Sequence, residues 1–134
     1  MPRLDDLELI ARTVVHCGFT IRNDIGPGLL ESAYQSIMLA GLRHEGLSVR
    51  HEVPVGMTYR GVVAANAFKV DILVEECLVI ELKSIERLAP VHSKQVLTYL
   101  RLMQLPLGLL MNFGQATFKD GVQRITNDYF GQIG

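Results

Sequence analysis

The stretch from Ala67 to Lys83, AFKVDILVEECLVIELK, contains two apolar runs separated by the acids Glu75 and Glu76. Aliphatic and β-branched residues favour strands, so the stretch predicts strands at 67–75 and 77–83, joined by a short turn at these acids. Glu81 and Lys83 interrupt the second run at alternate positions, which places both side chains on one face of the strand. A charge in a buried strand is costly unless it is paired or functional.

The position of a third charged residue makes this pattern chemically specific. If the hairpin turns about Glu76, Asp71 on the first strand lies opposite Glu81 on the second. Two opposed carboxylates have Cβ atoms roughly 5 Å apart and repel each other unless a cation lies between them. Carboxylate oxygens with open positions for water suit Mg²⁺, and also Mn²⁺. With Lys83 on the same face to hold or help deprotonate a bound water, the pattern predicts a site that hydrolyses phosphodiesters.

The same spacing also has a purely structural interpretation. Glu and Lys at alternate positions of a strand commonly form a solvated ion pair worth ~0–1 kcal/mol. An acid in the neighbouring strand is also common. The spacing of Asp71, Glu81 and Lys83 alone therefore leaves a solvated hairpin face and a catalytic site both open.

Apolar periodicity predicts the remaining elements. These are helices from residue 4 to about 22 and from about 30 to 46, a strand with a solvated face from 49 to about 60, a helix from about 91 to 104, and strands at 107–112 and 122–126. With the hairpin, the order is ααβββαββ. It predicts an α/β (α+β) fold in which helices flank a mixed central sheet.

Length and composition narrow the class of protein. A length of 134 residues predicts one domain covering 1–134. The composition, with 49% hydrophobic and 20% charged residues, is typical of a globular protein. The net charge of −1 gives no global attraction for a polyanion, so any affinity for nucleic acid must come from a local patch. No apolar run reaches the ~20 residues of a membrane span. An acidic N-terminal segment and two cysteines without a disulfide or zinc pattern predict a cytoplasmic protein that does not associate with membranes.

Three further motifs occur in a fixed order along the chain. They are GLLESAY at residues 28–34, VD at 70–71 together with ELK at 81–83, and QVLTY at 95–99. In this order they resemble the GxxExxY protein family, a branch of the PD-(D/E)XK nuclease superfamily. The resemblance extends from about Val15 to Asn127. Val70 stands where the superfamily commonly has the proline of its name, a position without a chemical role.

The resemblance implies a restriction-endonuclease-like core and a set of site residues. It implies that Asp71 and Glu81 bind the metal, that Lys83 serves the nucleophilic water, and that Glu31 reaches the same metal from the preceding helix. It also implies Gln95 as a site residue on the following helix. Glu31 and Gln95 have simpler explanations as well. A carboxylate in a first helical turn gains ~0.3–1 kcal/mol from the helix dipole alone. A glutamine on a helix surface is usually just solvated.

Two neighbours of these residues are predicted to contact substrate. Lys69 lies two residues before Asp71 and, by strand alternation, shares its face. Tyr99 lies one turn after Gln95 on the same helix face, which is able to look into the cleft. Tyr34, by contrast, is predicted to pack in the core, with its hydroxyl bonded to a partner.

Two functions remain open at this point. The first is a Mg²⁺-dependent nuclease acting on DNA or RNA, and the joint presence of Asp71, Glu81 and Lys83 favours it. The second is a non-catalytic module of the same fold that binds nucleic acid or a protein partner, with a homodimer also compatible with the small size. A nucleotide-binding loop at Gly26–Gly28 is excluded because no lysine and hydroxyl residue follow the glycines.

Overall fold

The computed structural model describes residues 3–128, except for the side chain of Leu4. Within this range the elements are α1 (Leu4–Ile25), α2 (Glu31–His44), β1 (Val49–Tyr59), β2 (Val62–Val74), β3 (Leu78–Lys83), α3 (Pro90–Met103), β4 (Leu107–Asn112), α4 (Phe118–Gly121) and β5 (Val122–Thr126). No helix among the described residues is both long and apolar enough to cross a membrane.

The five strands form one mixed sheet in the order β1-β2-β3-β4-β5. Strands β3 and β4 run parallel, and the other neighbouring pairs are antiparallel. A parallel pair needs a crossover connection, and α3 supplies it. The predicted mixed α/β fold with helices flanking a central sheet is therefore confirmed.

Alternate residues of β3 pack into two separate cores, one on each face of the sheet. Ile80 packs with residues of α1 and α2 such as Val14 and Met38. Val79 packs on the other face with Val96 of α3. Because side chains alternate along a strand, Glu81 belongs to the face that α3 covers.

The connection between β3 and β4 is fixed by local signals at both ends of α3. Pro90 occupies the first turn, where its missing N–H costs no hydrogen bond, and the Ala89 amide donates to His92 Nδ1 at 2.9 Å. On β4, Gly108 lies directly beneath the helix, because a Cβ there would be 2.7 Å from Val96 Cγ1. This close approach brings α3 down onto the face that carries Glu81.

The predicted element order is found, with two differences. Strand β2 begins at Val62, five residues before the predicted start, because Arg60 and Gly61 form a tight turn at φ +48° and +82° that returns the chain along β1. The residues Val62–Ala67 are exposed on both faces, so they lack the alternation that would have predicted a strand. The short helix α4 was not predicted, since four residues carry no periodic signal.

Candidate active site

Asp71 and Glu81 meet at the point where the β2–β3 ladder ends. The last paired residues are Ile72 with Ile80, and this register continues to Asp71 opposite Glu81. The Asp71 amide donates to Glu81 Oε1 at 3.2 Å, and the Leu82 amide donates to Asp71 Oδ2 at 2.8 Å. The opposition inferred from the hairpin turn is therefore found, and each carboxylate is held by a backbone amide of the hairpin.

Both carboxylates are largely removed from water, and this determines their electrostatics. Only 7% of Glu81 is exposed, and its burial raises its pKa to about 8, with the negative charge of Asp71 adding to the rise. Burial also raises the pKa of Asp71 to about 6, although the hydrogen bond from Leu82 opposes the rise. Two acids with raised pKa values side by side form a site that favours a proton or a cation.

Lys83 and Glu31 border this pair from two sides. Lys83 is half-buried at the end of β3, where its positive charge lowers the pKa of both acids. Glu31 is the first residue of α2 and is exposed, and its negative charge raises the pKa of both acids. Lys83 and Glu31 thus both lie within electrostatic reach of the Asp71–Glu81 pair.

The donor set fits a divalent cation in part. Asp71 and Glu81 each use one oxygen for a backbone amide, and their other oxygens have no hydrogen-bond partner within residues 3–128. Hard carboxylate oxygens of this kind suit Mg²⁺ or Mn²⁺. Over the same residues, however, no three His, Cys, Asp or Glu side chains come close enough together to hold one metal ion. The structure therefore brings two carboxylates together, and Glu31 acts on them through its charge and not as a third ligand.

Helix α3 contributes an aromatic side chain to the same site. The Tyr99 ring stacks on Phe68 of β2 with 4.1 Å between centroids and 1° between planes. Burial raises the pKa of Tyr99, and the negative charges of Glu81 and Asp71 add to the rise. Gln95, one turn earlier, is exposed.

Lys69 makes a different contact from the one that strand alternation suggests. Its Nζ lies 3.4 Å from Glu52 Oε2 on β1, and Glu52 Oε1 also accepts from Gln35 Nε2 of α2 at 3.1 Å. Phe68 packs in the α3-side core, as does Val70, whereas Ile72 packs on the opposite face. Regular alternation therefore breaks between residues 70 and 72, and a shared face for Lys69 and Asp71 does not follow from it.

Two residues of the site were not identified from the sequence. Glu52 adopts φ +50° and raises the pKa of Asp71 through its charge, although the sequence pattern places it on a solvated face. Phe68 of β2 stacks on Tyr99 although it lies thirty-one residues earlier in the sequence, and no local sequence signal predicts that contact. The β1–β2 register, which pairs His51 with Ile72 and Val53 with Val70, places Glu52 opposite Asp71, and this is visible only once the register is known.

Core packing around the loop before α2 follows the sequence prediction. Tyr34 is fully buried, and its ring stacks on Phe113 at 4.4 Å between centroids. Its hydroxyl donates to the Gly26 carbonyl at 2.6 Å. Tyr34 is thus a core residue that fixes the start of α2, and with it the position of Glu31.

Two cavities lie elsewhere in the molecule. They have volumes of about 510 and 590 Å³ and lie along α1, where both are lined by Arg12 and His16. Neither is lined by Asp71 or Glu81. The candidate site is therefore identified by its paired acids and neighbouring charges, not by the size of a cavity.

Comparison with known families agrees with this geometry. Residues 8–125 match the family model described as PD-(D/E)XK nuclease superfamily. No curated protein and no solved structure gives a match. The matched segment includes Glu31, the Asp71–Glu81 pair, Lys83 and all of α3. The chain belongs to the PD-(D/E)XK nuclease superfamily.

Proposed function

We propose that this chain is a divalent-metal-dependent nuclease of the GxxExxY branch that hydrolyses phosphodiester bonds in DNA or RNA. The observation that carries the proposal is the Asp71–Glu81 pair, in which two largely buried acids with raised pKa values face each other beside Lys83. Members of this superfamily act on nucleic acids and generally use divalent metals. A pair of acids that favours a cation is what such chemistry requires.

Asp71 and Glu81 would hold the metal through the oxygens that are not bonded to the backbone. Glu31 would be the third carboxylate, since its charge already reaches both acids. A bound Mg²⁺ or Mn²⁺ would supply Lewis acidity and lower the pKa of water. The hydrogen bonds from the Leu82 and Asp71 amides fix the two carboxylates in orientation, so little side-chain freedom remains to be lost on binding.

Lys83 would supply a positive charge to the site, since its charge already acts on both acids. An ammonium group beside the attacking oxygen stabilises the negative charge that develops there. Gln95 would position water or a phosphate oxygen through its amide, and Tyr99 would contact the substrate from the same helix face. Lys69 would leave Glu52 and bind the phosphate backbone of the substrate instead. Its ion pair with Glu52 is exposed and therefore weak.

A second candidate is a non-catalytic module that binds nucleic acid or a protein partner. It is favoured by the incomplete set of metal ligands. One oxygen of each acid already accepts a hydrogen bond from a backbone amide, and within residues 3–128 no third His, Cys, Asp or Glu side chain lies close enough to complete a metal site. A module of this kind would bind nucleic acid and leave it intact. A cytoplasmic location is part of both proposals.

The test combines metal binding with cleavage. Parent and Asp71→Asn proteins are titrated with Mg²⁺ and Mn²⁺ by calorimetry, then incubated with labelled DNA and RNA in each metal and in EDTA. Asparagine keeps an oxygen to accept from the Leu82 amide, so the variant should fold. We expect metal binding and cleavage in the parent and neither in Asp71→Asn, with Asp5→Asn on α1 as the matched control. Metal binding equal in all three proteins contradicts the proposed site.

A further inference from the structure

The loop that joins α1 to α2 presents apolar side chains to solvent. This apolar loop, Ile25–Leu30, has the sequence IGPGLL. Leu30 is 77% exposed, Ile25 is 45% exposed and Leu29 is 37% exposed. Three exposed large aliphatic side chains within six residues form a patch of the kind that marks an interaction site.

The apolar loop is held in place by hydrogen bonds at both ends. The Tyr34 hydroxyl donates to the Gly26 carbonyl at 2.6 Å and accepts from the Leu29 amide at 3.3 Å. Ser84 Oγ donates to the Leu29 carbonyl at 2.6 Å. Since the Tyr34 ring is buried against Phe113, these bonds tie the loop to the core. The exposed leucines are therefore displayed on a fixed backbone.

The same contacts place the loop at the border of the candidate site. Leu30 immediately precedes Glu31, whose charge reaches Asp71 and Glu81. Ser84, which holds Leu29, immediately follows Lys83. The apolar loop is thus continuous with the predicted catalytic residues on two sides.

We propose that the apolar loop packs against unpaired bases of the substrate, so that the site prefers single-stranded or locally unpaired nucleic acid. This inference rests on the proposed nuclease function. Aliphatic side chains gain nothing from a phosphate backbone, and in a stacked duplex the base faces are covered. A leucine or isoleucine inserted at a base step of a duplex has to unstack the bases, at a cost of a few kcal/mol, and already unpaired bases avoid that cost. The net charge of −1 also argues against recognition of a duplex through its phosphates alone.

The test measures fluorescence anisotropy of three labelled probes in Ca²⁺. The probes are a single-stranded 20-mer, the matching duplex, and that duplex with a central unpaired segment. The duplex is about two helical turns long. The variant is Leu30→Ser, because serine is favoured at the N-cap position that Leu30 occupies and should preserve the start of α2. Leu9→Ser is the matched control, since Leu9 is 60% exposed on α1 and sixteen helical residues, about 24 Å, from Ile25.

We expect Leu30→Ser to weaken binding of the single strand and of the unpaired duplex by about tenfold, the loss of one buried aliphatic contact, with Leu9→Ser unchanged. Equal affinity of parent and Leu30→Ser for every probe overturns the inference while leaving the nuclease proposal standing. A parent that binds none of the probes overturns both. A parent that elutes as a dimer while Leu30→Ser elutes as a monomer shows that the loop is a self-association surface, which also overturns the inference.

Discussion

The Leu82 amide donates a hydrogen bond to Asp71 Oδ2 at 2.8 Å, and Asp71 lies one position beyond the last ladder pair of β2 and β3, Ile72 with Ile80. A backbone donor at this point orients the carboxylate without adding a positive charge. The bond opposes the rise in the pKa of Asp71 but does not cancel it. The Asp71 carboxylate is therefore fixed in orientation, while its negative charge is only partly compensated.

Replacing Lys83 by methionine should abolish cleavage and preserve metal binding. The change removes the positive charge that lowers the pKa of both acids while keeping a similar volume, so the loss should be about 10²-fold or more. The measurement compares rates and calorimetric metal titrations for parent and Lys83→Met. Lys119→Met, an exposed lysine on α4, is the control. Cleavage equal in parent and Lys83→Met would defeat the catalytic role of Lys83.

Stability of the metal-free protein should fall as pH rises. The folded protein binds protons at Asp71 and Glu81 more tightly than the unfolded chain, because both pKa values are raised, to about 6 and about 8. The stabilisation is fully present below about pH 4 and is lost as pH rises through about 8. Each pKa unit corresponds to about 1.4 kcal/mol, so for these two groups we expect a loss of several kcal/mol in the free energy of unfolding.

The control for this pH dependence is Glu81→Gln, which keeps an oxygen for the Asp71 amide and removes one charge. Its denaturant midpoint should vary less with pH than that of the parent, and at pH 8 it should be at least as stable. A metal-free Glu81→Gln protein that unfolds clearly more easily than the parent at pH 8 would show that repulsion between the acids is weak.

Added Mg²⁺ should raise the melting temperature of the parent. A ligand bound only by the folded state stabilises it by about 2.7 kcal/mol at a hundredfold excess over Kd. Thermal melts at pH 8 with increasing Mg²⁺ measure the effect, and Asp71→Asn should show little of it. An equal rise in both proteins would mean that the ion binds somewhere other than the acid pair.

Tyr99 should contribute separately through its ring and through its hydroxyl. Tyr99→Phe keeps the stack on Phe68 and should change stability by less than about 1 kcal/mol, whereas Tyr99→Ala should cost about 3 kcal/mol. Denaturant unfolding separates the two variants. If the hydroxyl contacts substrate, Tyr99→Phe should raise the KM for nucleic acid with little change in stability. An unchanged KM would mean that Tyr99 contributes through packing alone.

The turn between β2 and β3 is strained, and relieving it should stabilise the protein. Glu75 and Glu76 both have positive φ, +51° and +54°, a region that asparagine tolerates better than glutamate. Glu75→Asn should therefore add about 0.5–1 kcal/mol to the free energy of unfolding. Glu76→Asn is the comparison, because Glu76 also pairs with Arg50 at 2.7 Å and should gain less. Equal changes would show that the ion pair adds nothing.

The hairpin was predictable from the sequence because its signals are local. Counting from the turn at Glu76 gives the opposition of Asp71 and Glu81, and the apolar runs give the strands. The stack of Phe68 on Tyr99 was not predictable, since it joins residues from different elements through the tertiary packing. The position of Glu52 also depends on a left-handed backbone conformation that the sequence pattern does not indicate.

Within residues 3–128, strand β1 pairs with β2 alone, so its outer side forms a sheet edge eleven residues long. Such an edge invites another strand to add to it, yet β1 carries Pro54, which has no N–H to offer, and its register shifts between Val55 and Met57. Together with the left-handed Glu52, these features interrupt any continuous row of donors and acceptors. The sheet is thereby protected from growth by strand addition along β1, and a second copy or a partner protein that meets this edge would contact it through side chains.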